Sequence, residues 1–342
     1  MITPVWNDFT NLISKLTLRK AWNIIKVFWS YHYSKYAGTA TLKGLPFSVS
    51  IEPTTSCNLR CPECPSGLRA FTRNTGMLDE IFFKEIIQEI HRDLLYLSFY
   101  FQGEPYLNSK LLDMIEFASD HNIYTSTSTN GHFLNQENAK KTVESGLDRL
   151  IISIDGTTQE VYEQYRVGGK LSKVVAGVKS IVKWKEKLKS KTPHIIIQFL
   201  VVKPNEHQIS EVIDLQKESG ADDLWFKTAQ VYEYENGNSL IPTIEKYSRY
   251  KINPDGTYRI KNTLINHCWK MWHSCVITWD GNVVPCCFDK DAKHQLGNLK
   301  QRPLSQIWKS EAYTAFRNAV LTSRNEIDIC KNCSEGMSVI RN

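Results

Sequence analysis

The chain has 342 residues, a formal net charge of +6, and 42% hydrophobic and 23% charged residues. That is room for one large domain with a smaller one, or two of medium size, at ordinary soluble composition. The basic excess is local: residues 1–45 hold Lys15, Arg19, Lys20, Lys26, Lys35 and Lys43 against Asp8 alone, and a nearly neutral remainder argues against a nucleic-acid partner.

No uncharged apolar run nears the roughly 18 residues of a bilayer span. Asp8, Lys15, Arg19 and Lys20 interrupt any signal-peptide core. The expected location is therefore the cytoplasm, where thiols stay reduced.

Residues 9–36 read as one helix, with Ala21, Trp22, Ile25, Phe28 and Trp29 on one face and Arg19, Lys20, Asn23, Lys26 and Ser30 opposite. Strand patterns follow at 47–52, 95–101, 123–129, 149–154, 194–202 and 223–228. Helical patterns separate them at about 79–92, 109–121, 135–146, 157–189 and 206–219. Strands alternating with helices of this length predict βαβ crossovers and a parallel sheet. Six units are too few to close an eight-stranded barrel, so the expected fold is α/β, a partial (β/α)6 TIM-like barrel over 47–230. Residues 231–262 are polar and aperiodic and read as a linker. In 263–342, a hairpin at 275–286 turning on Asp280-Gly281-Asn282 and a helix at about 304–321 predict a small C-terminal α+β domain.

The nine cysteines avoid residues 65–267 entirely. Packing cysteines would scatter through the core, and disulfides are not expected without export, so two tight groups point to two metal centres. Cys57, Cys61 and Cys64 follow the first strand with Cys-x3-Cys-x2-Cys spacing. Three thiolates can hold three irons of a 4Fe–4S cubane and leave the fourth open, unlike the fully ligated clusters of ferredoxins. Spacing alone leaves a structural zinc site open, although zinc wants four closed ligands and no His or fourth Cys lies nearby.

The neighbouring motifs are those of a family. The second strand ends in Phe101-Gln102-Gly103-Glu104-Pro105, the third in Ser128-Thr129-Asn130-Gly131 and the fourth in Ser153-Ile154-Asp155-Gly156, with Arg166 in YEQYRVGG beyond. All lie at or just past the C-terminal ends of consecutive strands, where barrel sites assemble. Over about 47–230 the chain resembles the radical S-adenosylmethionine (SAM) superfamily. Gln102 stands where the family usually has the first Gly of Gly-Gly-Glu-Pro.

The resemblance implies that Gln102, Gly103, Glu104, Asn130, Ser153, Asp155 and Arg166 contact SAM. Glu104 would meet its amino group, Ser153 its ribose or carboxylate, and the planar fork of Arg166 its carboxylate. It also implies an external one-electron reductant such as flavodoxin or ferredoxin, and a 5′-deoxyadenosyl radical that abstracts hydrogen from substrate.

From Cys268 the tail resembles the SPASM region of such enzymes. It has the hairpin, the pair Cys286-Cys287, Leu296-Gly297-Asn298 and Cys330-Lys-Asn-Cys333, in a shortened version holding one auxiliary cluster. Cys268, Cys286, Cys330 and Cys333 are its expected ligands. Cys275 and Cys287 are spare, and a zinc ribbon is the competing reading. A fully ligated second cluster suits electron removal, so the expected reaction is a two-electron oxidation of a sugar- or cyclitol-like alcohol. The alternative is a peptide maturase, and a non-catalytic iron–sulfur protein is a third reading. No substrate base is assigned, though Tyr232, Glu233 and Glu235 fall near the expected mouth.

Residues 9–36 have two readings: a cover for the open barrel, or a peripheral membrane contact with lipid-facing aromatics, in which case a lipid-linked sugar is the expected substrate.

Overall fold

The computed structural model describes residues 4–336. The N-terminal segment is two helices rather than one, α1 (Pro4–Ser14) and α2 (Leu18–Ala37). Thr17 breaks the run because its side chain accepts from the backbone N–H of Lys20 and caps α2. The barrel follows as β1 (Ser48–Ile51), α3 (Pro65–Leu68), α4 (Glu80–Ile90), β2 (Tyr96–Phe99), α5 (Leu111–Asp120), β3 (Tyr124–Thr129), α6 (Gln136–Glu144) and β4 (Arg149–Ser153). It continues through α7 (Gln159–Tyr165), α8 (Leu171–Leu188), β5 (His194–Val201), α9 (Ile209–Ser219) and β6 (Asp223–Thr228). The helix expected over 157–189 is thus broken at Arg166–Lys170, where Gly168 takes φ +82°.

Residues 231–262 are not featureless: β7 (Tyr250–Ile252) and β8 (Tyr258–Ile260) form an antiparallel hairpin. Next come α10 (Lys270–His273), β9 (Ser274–Ile277), β10 (Asn282–Val284), β11 (Gly297–Asn298), α11 (Leu304–Trp308), α12 (Glu311–Ser323) and α13 (Asp328–Lys331).

Strands β1 to β6 lie side by side and parallel, as the crossovers require. The C-terminal hairpin does not form a sheet of its own. β9 pairs parallel with β1, Val49 opposite Cys275, and β10 and β11 extend the same sheet antiparallel. The barrel therefore stays open, with the hairpin on its β1 edge.

The two faces of the sheet differ by residue size. Leu97, Phe99, Leu150, Ile152, Ile195 and Ile197 point outward into one core with Phe83, Ile87, Met114, Val174 and Val178 of the covering helices. On the other face the register sets Ser50 beside Ser98 and Ser98 beside Ser126. Ser128 and Ser153 follow toward the strand ends. Alternate residues share a face, so this row of short hydroxyl side chains leaves room inside the barrel.

The opposite end is plugged by the polar side of α1 and α2. Asp8 receives hydrogen bonds from Tyr124 and Arg149 at the starts of β3 and β4. Asn11 bonds Asp148 at 2.8 Å, and Lys20, only 2% exposed, bonds the Asn122 carbonyl at 2.6 Å. Asn23 reaches the Leu45 carbonyl at 2.9 Å, just ahead of β1. Burial pulls the Lys20 pKa down to about 8.

Farther along α2, Tyr31 packs on Trp269 and Trp272. His273, half-buried beside them and stacked on Phe47 at 5.2 Å, has its pKa pulled down to about 3, chiefly by desolvation and then by Lys270. The unfolded chain takes up a proton near pH 6.5 that the fold refuses, so this site costs stability as pH falls from 6.5 toward 3. His273→Phe is expected to remove an acid-side loss of about 2–3 kcal/mol between pH 7 and pH 4.5, measured by denaturant unfolding at those two pH values.

Candidate active site

Just past β1, Glu52 is fully buried and takes a two-pronged ion pair from Arg73, at 2.8 and 2.5 Å. The loop beyond it carries Cys57, Cys61 and Cys64, and Pro65 starts the short helix α3 at once. The loop is tied to the end of β2: the Glu104 N–H bonds the Ser56 carbonyl at 2.8 Å, and the Gly103 N–H bonds Ser66 Oγ at 2.8 Å. Gly103 sits at φ +73°, and a Cβ there would meet the Thr54 carbonyl at 2.2 Å. Only glycine permits this approach.

Cys57, Cys61, Cys64, Gln102, Gly103, Glu104, Asn130, Ser153 and Arg166 line one cavity, together with Ser128, Gln198 and Tyr100. Glu104 is 2% exposed. Its carboxylate accepts from Thr129 Oγ1 at 2.6 Å and the Asn130 N–H at 2.7 Å. Burial nonetheless pushes its pKa up to about 7, so a cation placed beside it would stabilise the anion. Asn130 also donates to Asn58 at 2.7 Å, within the cysteine loop.

Asp155, expected on the cofactor, lies outside the cavity. It is fully buried, accepts from Arg166 Nε at 2.5 Å and from the Leu200 N–H at 2.7 Å, and so braces the arginine from behind. Arg166 Nη1 stands 3.8 Å from Cys61 Sγ.

The second group converges as well. Cys268, Cys286, Cys330 and Cys333 line one enclosed cavity with Lys270, Arg324 and Glu335. Gly336 makes room for it, since a Cβ there would lie 2.3 Å from Cys268 Sγ. Cys287 is exposed, 3.9 Å from Lys270 Nζ, and Cys275 is buried in the barrel core.

Among the described residues no three His, Cys, Asp or Glu side chains converge on a single-ion position. Zinc needs four donors each within about 2.3 Å of one point. Thiols spread around a cavity wall, with sulfur as the main donor, instead suit a cluster several ångströms across. Burial raises the pKa of Cys57 and of Cys330 to about 11. Metal binding is what makes such thiols ionise.

A cleft of about 590 Å³ lies between these cavities. It shares Pro65 and Lys290 with the first, and Phe288 and Ile329 with the second. Its wall includes Gln230, Tyr232, Glu235, Asp291 and Asn332. Lys290 donates to Tyr232 Oη at 2.9 Å, and burial lowers its pKa. The Tyr232 N–H is held by Glu63 at 3.0 Å. Tyr232 and Glu235 thus do reach the mouth, whereas Lys290 gave no signal in the sequence, being one cation in a polar loop after a cysteine pair.

Comparison with known proteins identifies the family of each of the two regions. The radical SAM superfamily model matches residues 51–215, and the SPASM iron–sulfur cluster-binding domain model matches residues 268–334. The tungsten-containing aldehyde ferredoxin oxidoreductase cofactor-modifying protein of Pyrococcus furiosus is 28% identical over 322 residues, covering 83% of this chain and 86% of that protein. The PqqA peptide cyclase of Bradyrhizobium diazoefficiens is 26% identical over 332 residues, covering 87% and 81%. The crystal structure of BtrN with AdoMet and 2-DOIA superposes with a TM-score of 0.52 at 18% identity, covering 86% of this chain and 95% of that one. The chain belongs to the radical SAM superfamily and is a radical SAM enzyme with a C-terminal SPASM domain.

Proposed function

We propose that the enzyme oxidises a polar, hydroxyl-rich small molecule, a sugar- or cyclitol-like alcohol, by two electrons. The observation that carries this reading is the polar cleft touching both cysteine-lined cavities. In this reading Cys57, Cys61 and Cys64 hold the SAM-binding 4Fe–4S cluster, and Cys268, Cys286, Cys330 and Cys333 hold an auxiliary one. With both clusters and SAM bound, the cofactors supply hydrogen-atom abstraction from the substrate and an acceptor for its second electron.

The chain's own residues do the rest. Gln102, Gly103, Glu104, Asn130, Ser153 and Arg166 bind and orient SAM, and Asp155 holds the fork of Arg166. The carbinol hydroxyl must also lose a proton, and Lys290 is the base placed for it, with its charged form disfavoured by burial and Tyr232 fixing its direction. Acidic and basic groups on the cleft wall match hydroxyls better than an apolar side chain. The reductant is an external one-electron donor such as flavodoxin or ferredoxin.

Lys290→Met is expected to lower kcat for substrate turnover by about 10²-fold and to flatten a pH–rate profile that rises with pH in the parent, because a base works deprotonated. A panel of carbinol-deuterated polyols with reconstituted enzyme tests the substrate class. Deuterium in 5′-deoxyadenosine together with a carbonyl product supports it. The same label transfer from a peptide, yielding a crosslink, overturns it in favour of a peptide maturase. The likeness to the PqqA peptide cyclase keeps that second reading in view.

A further inference from the structure

The first two helices are inverted. Apart from Val27 and Tyr31, the side chains they bury are polar, while most of their large apolar residues face out. On α2 the buried positions are Lys20, Asn23, Val27, Ser30, Tyr31 and Ser34. The exposed ones include Leu18, Trp22, Ile25, Trp29, Tyr33 and Tyr36, from 46% to 94% exposed. Steps of three and four residues set these in one stripe along all five turns of the 20-residue helix, about 30 Å. On α1, Val5, Trp6, Phe9 and Ile13 are likewise exposed, at 45% to 57%. Scattered exposed apolar residues are ordinary, but a contiguous band of this size marks an interaction surface.

Charge selects the partner. Lys26, Lys35 and Lys43 are exposed beside the stripe, as is Arg19, whose guanidinium is paired with Asp93 at 2.7 Å. Lys26 lies over the Trp22 ring at 5.5 Å and Lys43 over Trp29 at 4.5 Å. The only acid in residues 1–45, Asp8, is buried against Arg149. Aromatic rings flanked by cations on a helix lying flat on the molecule fit the headgroup boundary of an anionic bilayer, where rings seat among the acyl chains and ammonium groups meet phosphates.

We propose that α1 and α2 dock the enzyme on an anionic membrane. The same helices cover the starts of β1, β3 and β4, whereas the cysteine loops leave the strand ends. Strands of four to eight residues rise about 3.3 Å each, so the mouth stands some 13–26 Å above the docking face and opens away from the bilayer. Substrate then enters from the aqueous side, and docking does not call for a lipid-linked sugar.

The test is flotation of the reconstituted protein with phosphatidylglycerol–phosphatidylcholine vesicles and with phosphatidylcholine vesicles alone. The parent is expected to float with the anionic vesicles and release in high salt. Trp22→Asp/Trp29→Asp and Lys26→Gln/Lys35→Gln/Lys43→Gln are each expected to weaken that binding by at least about tenfold, with circular dichroism and iron content at the parent's values. A folded parent that stays unbound overturns the proposal. So does a parent dimer that the tryptophan variant converts to monomer, because a second copy would then cover the stripe.

Discussion

Arg166→Met is expected to raise the Kd for SAM about ten- to a hundredfold and to destabilise the fold by about 3–5 kcal/mol. The two effects have separate causes. The affinity loss follows from removing a charged fork that faces the cavity, since hydrogen bonds to charged groups contribute about 1.5–3 kcal/mol each. The stability loss follows from Asp155, which is fully buried and keeps only the Leu200 N–H once its arginine is gone. Asp155→Asn in the same chain removes the orphaned charge. The double variant is therefore expected to regain most of the unfolding free energy but none of the SAM affinity. Isothermal titration and denaturant unfolding read the two separately. If Asp155→Asn also restored the affinity, Arg166 would be a structural residue only.

The second large effect is expected at Arg324, which is 1% exposed. It donates to the His267 carbonyl at 2.6 Å and the Glu335 carbonyl at 2.8 Å, and lies 3.6 Å from Cys333 Sγ. Burial alone would lower its pKa, but Cys268, Cys333 and Cys330 reverse the shift. Four thiolates gathered in one buried cavity repel one another, and this guanidinium is, with the Lys270 ammonium, a cation placed among them. Arg324→Met is expected to lose the auxiliary iron, about four atoms per chain, and to lower the Tm, while the barrel cluster is retained. Iron and acid-labile sulfide counts on the variant check this.

Much of this architecture was legible in the sequence, for reasons that also mark where legibility stops. The six barrel strands announced themselves through alternation and the punctuation between them, and the cofactor motifs through their place at consecutive strand ends. Pairing of β9 with β1 was not readable, because nothing local in 274–277 names a partner more than 220 residues away. The break at Arg166 was hidden because a Gly pair inside a long helical pattern reads as tolerated, while the left-handed turn at Gly168 carries Arg166 toward the cavity. Asp155 shares a strand-end motif with Ser153, yet only the fold shows that it points at Arg166. In the N-terminal helices the periodicity was plain but its sense was not: a hydrophobic stripe normally faces the core, and here Lys20, Asn23 and Ser34 do. The hairpin at 250–260 was missed because three-residue strands are too short to show a period.

The proposed oxidation requires two separate cysteine sets that hold two clusters on either side of one cleft. Counting iron and acid-labile sulfide after anaerobic reconstitution tests it most directly, on the parent, on Cys57→Ala/Cys61→Ala/Cys64→Ala, and on Cys268→Ala/Cys330→Ala/Cys333→Ala. About eight irons are expected in the parent and about four in each triple variant, with SAM cleavage abolished only in the first. A parent with about four irons, falling to none in the first variant and unchanged in the second, would contradict it. The proposed oxidation would then have no electron acceptor, leaving a redox-neutral reaction as the better reading.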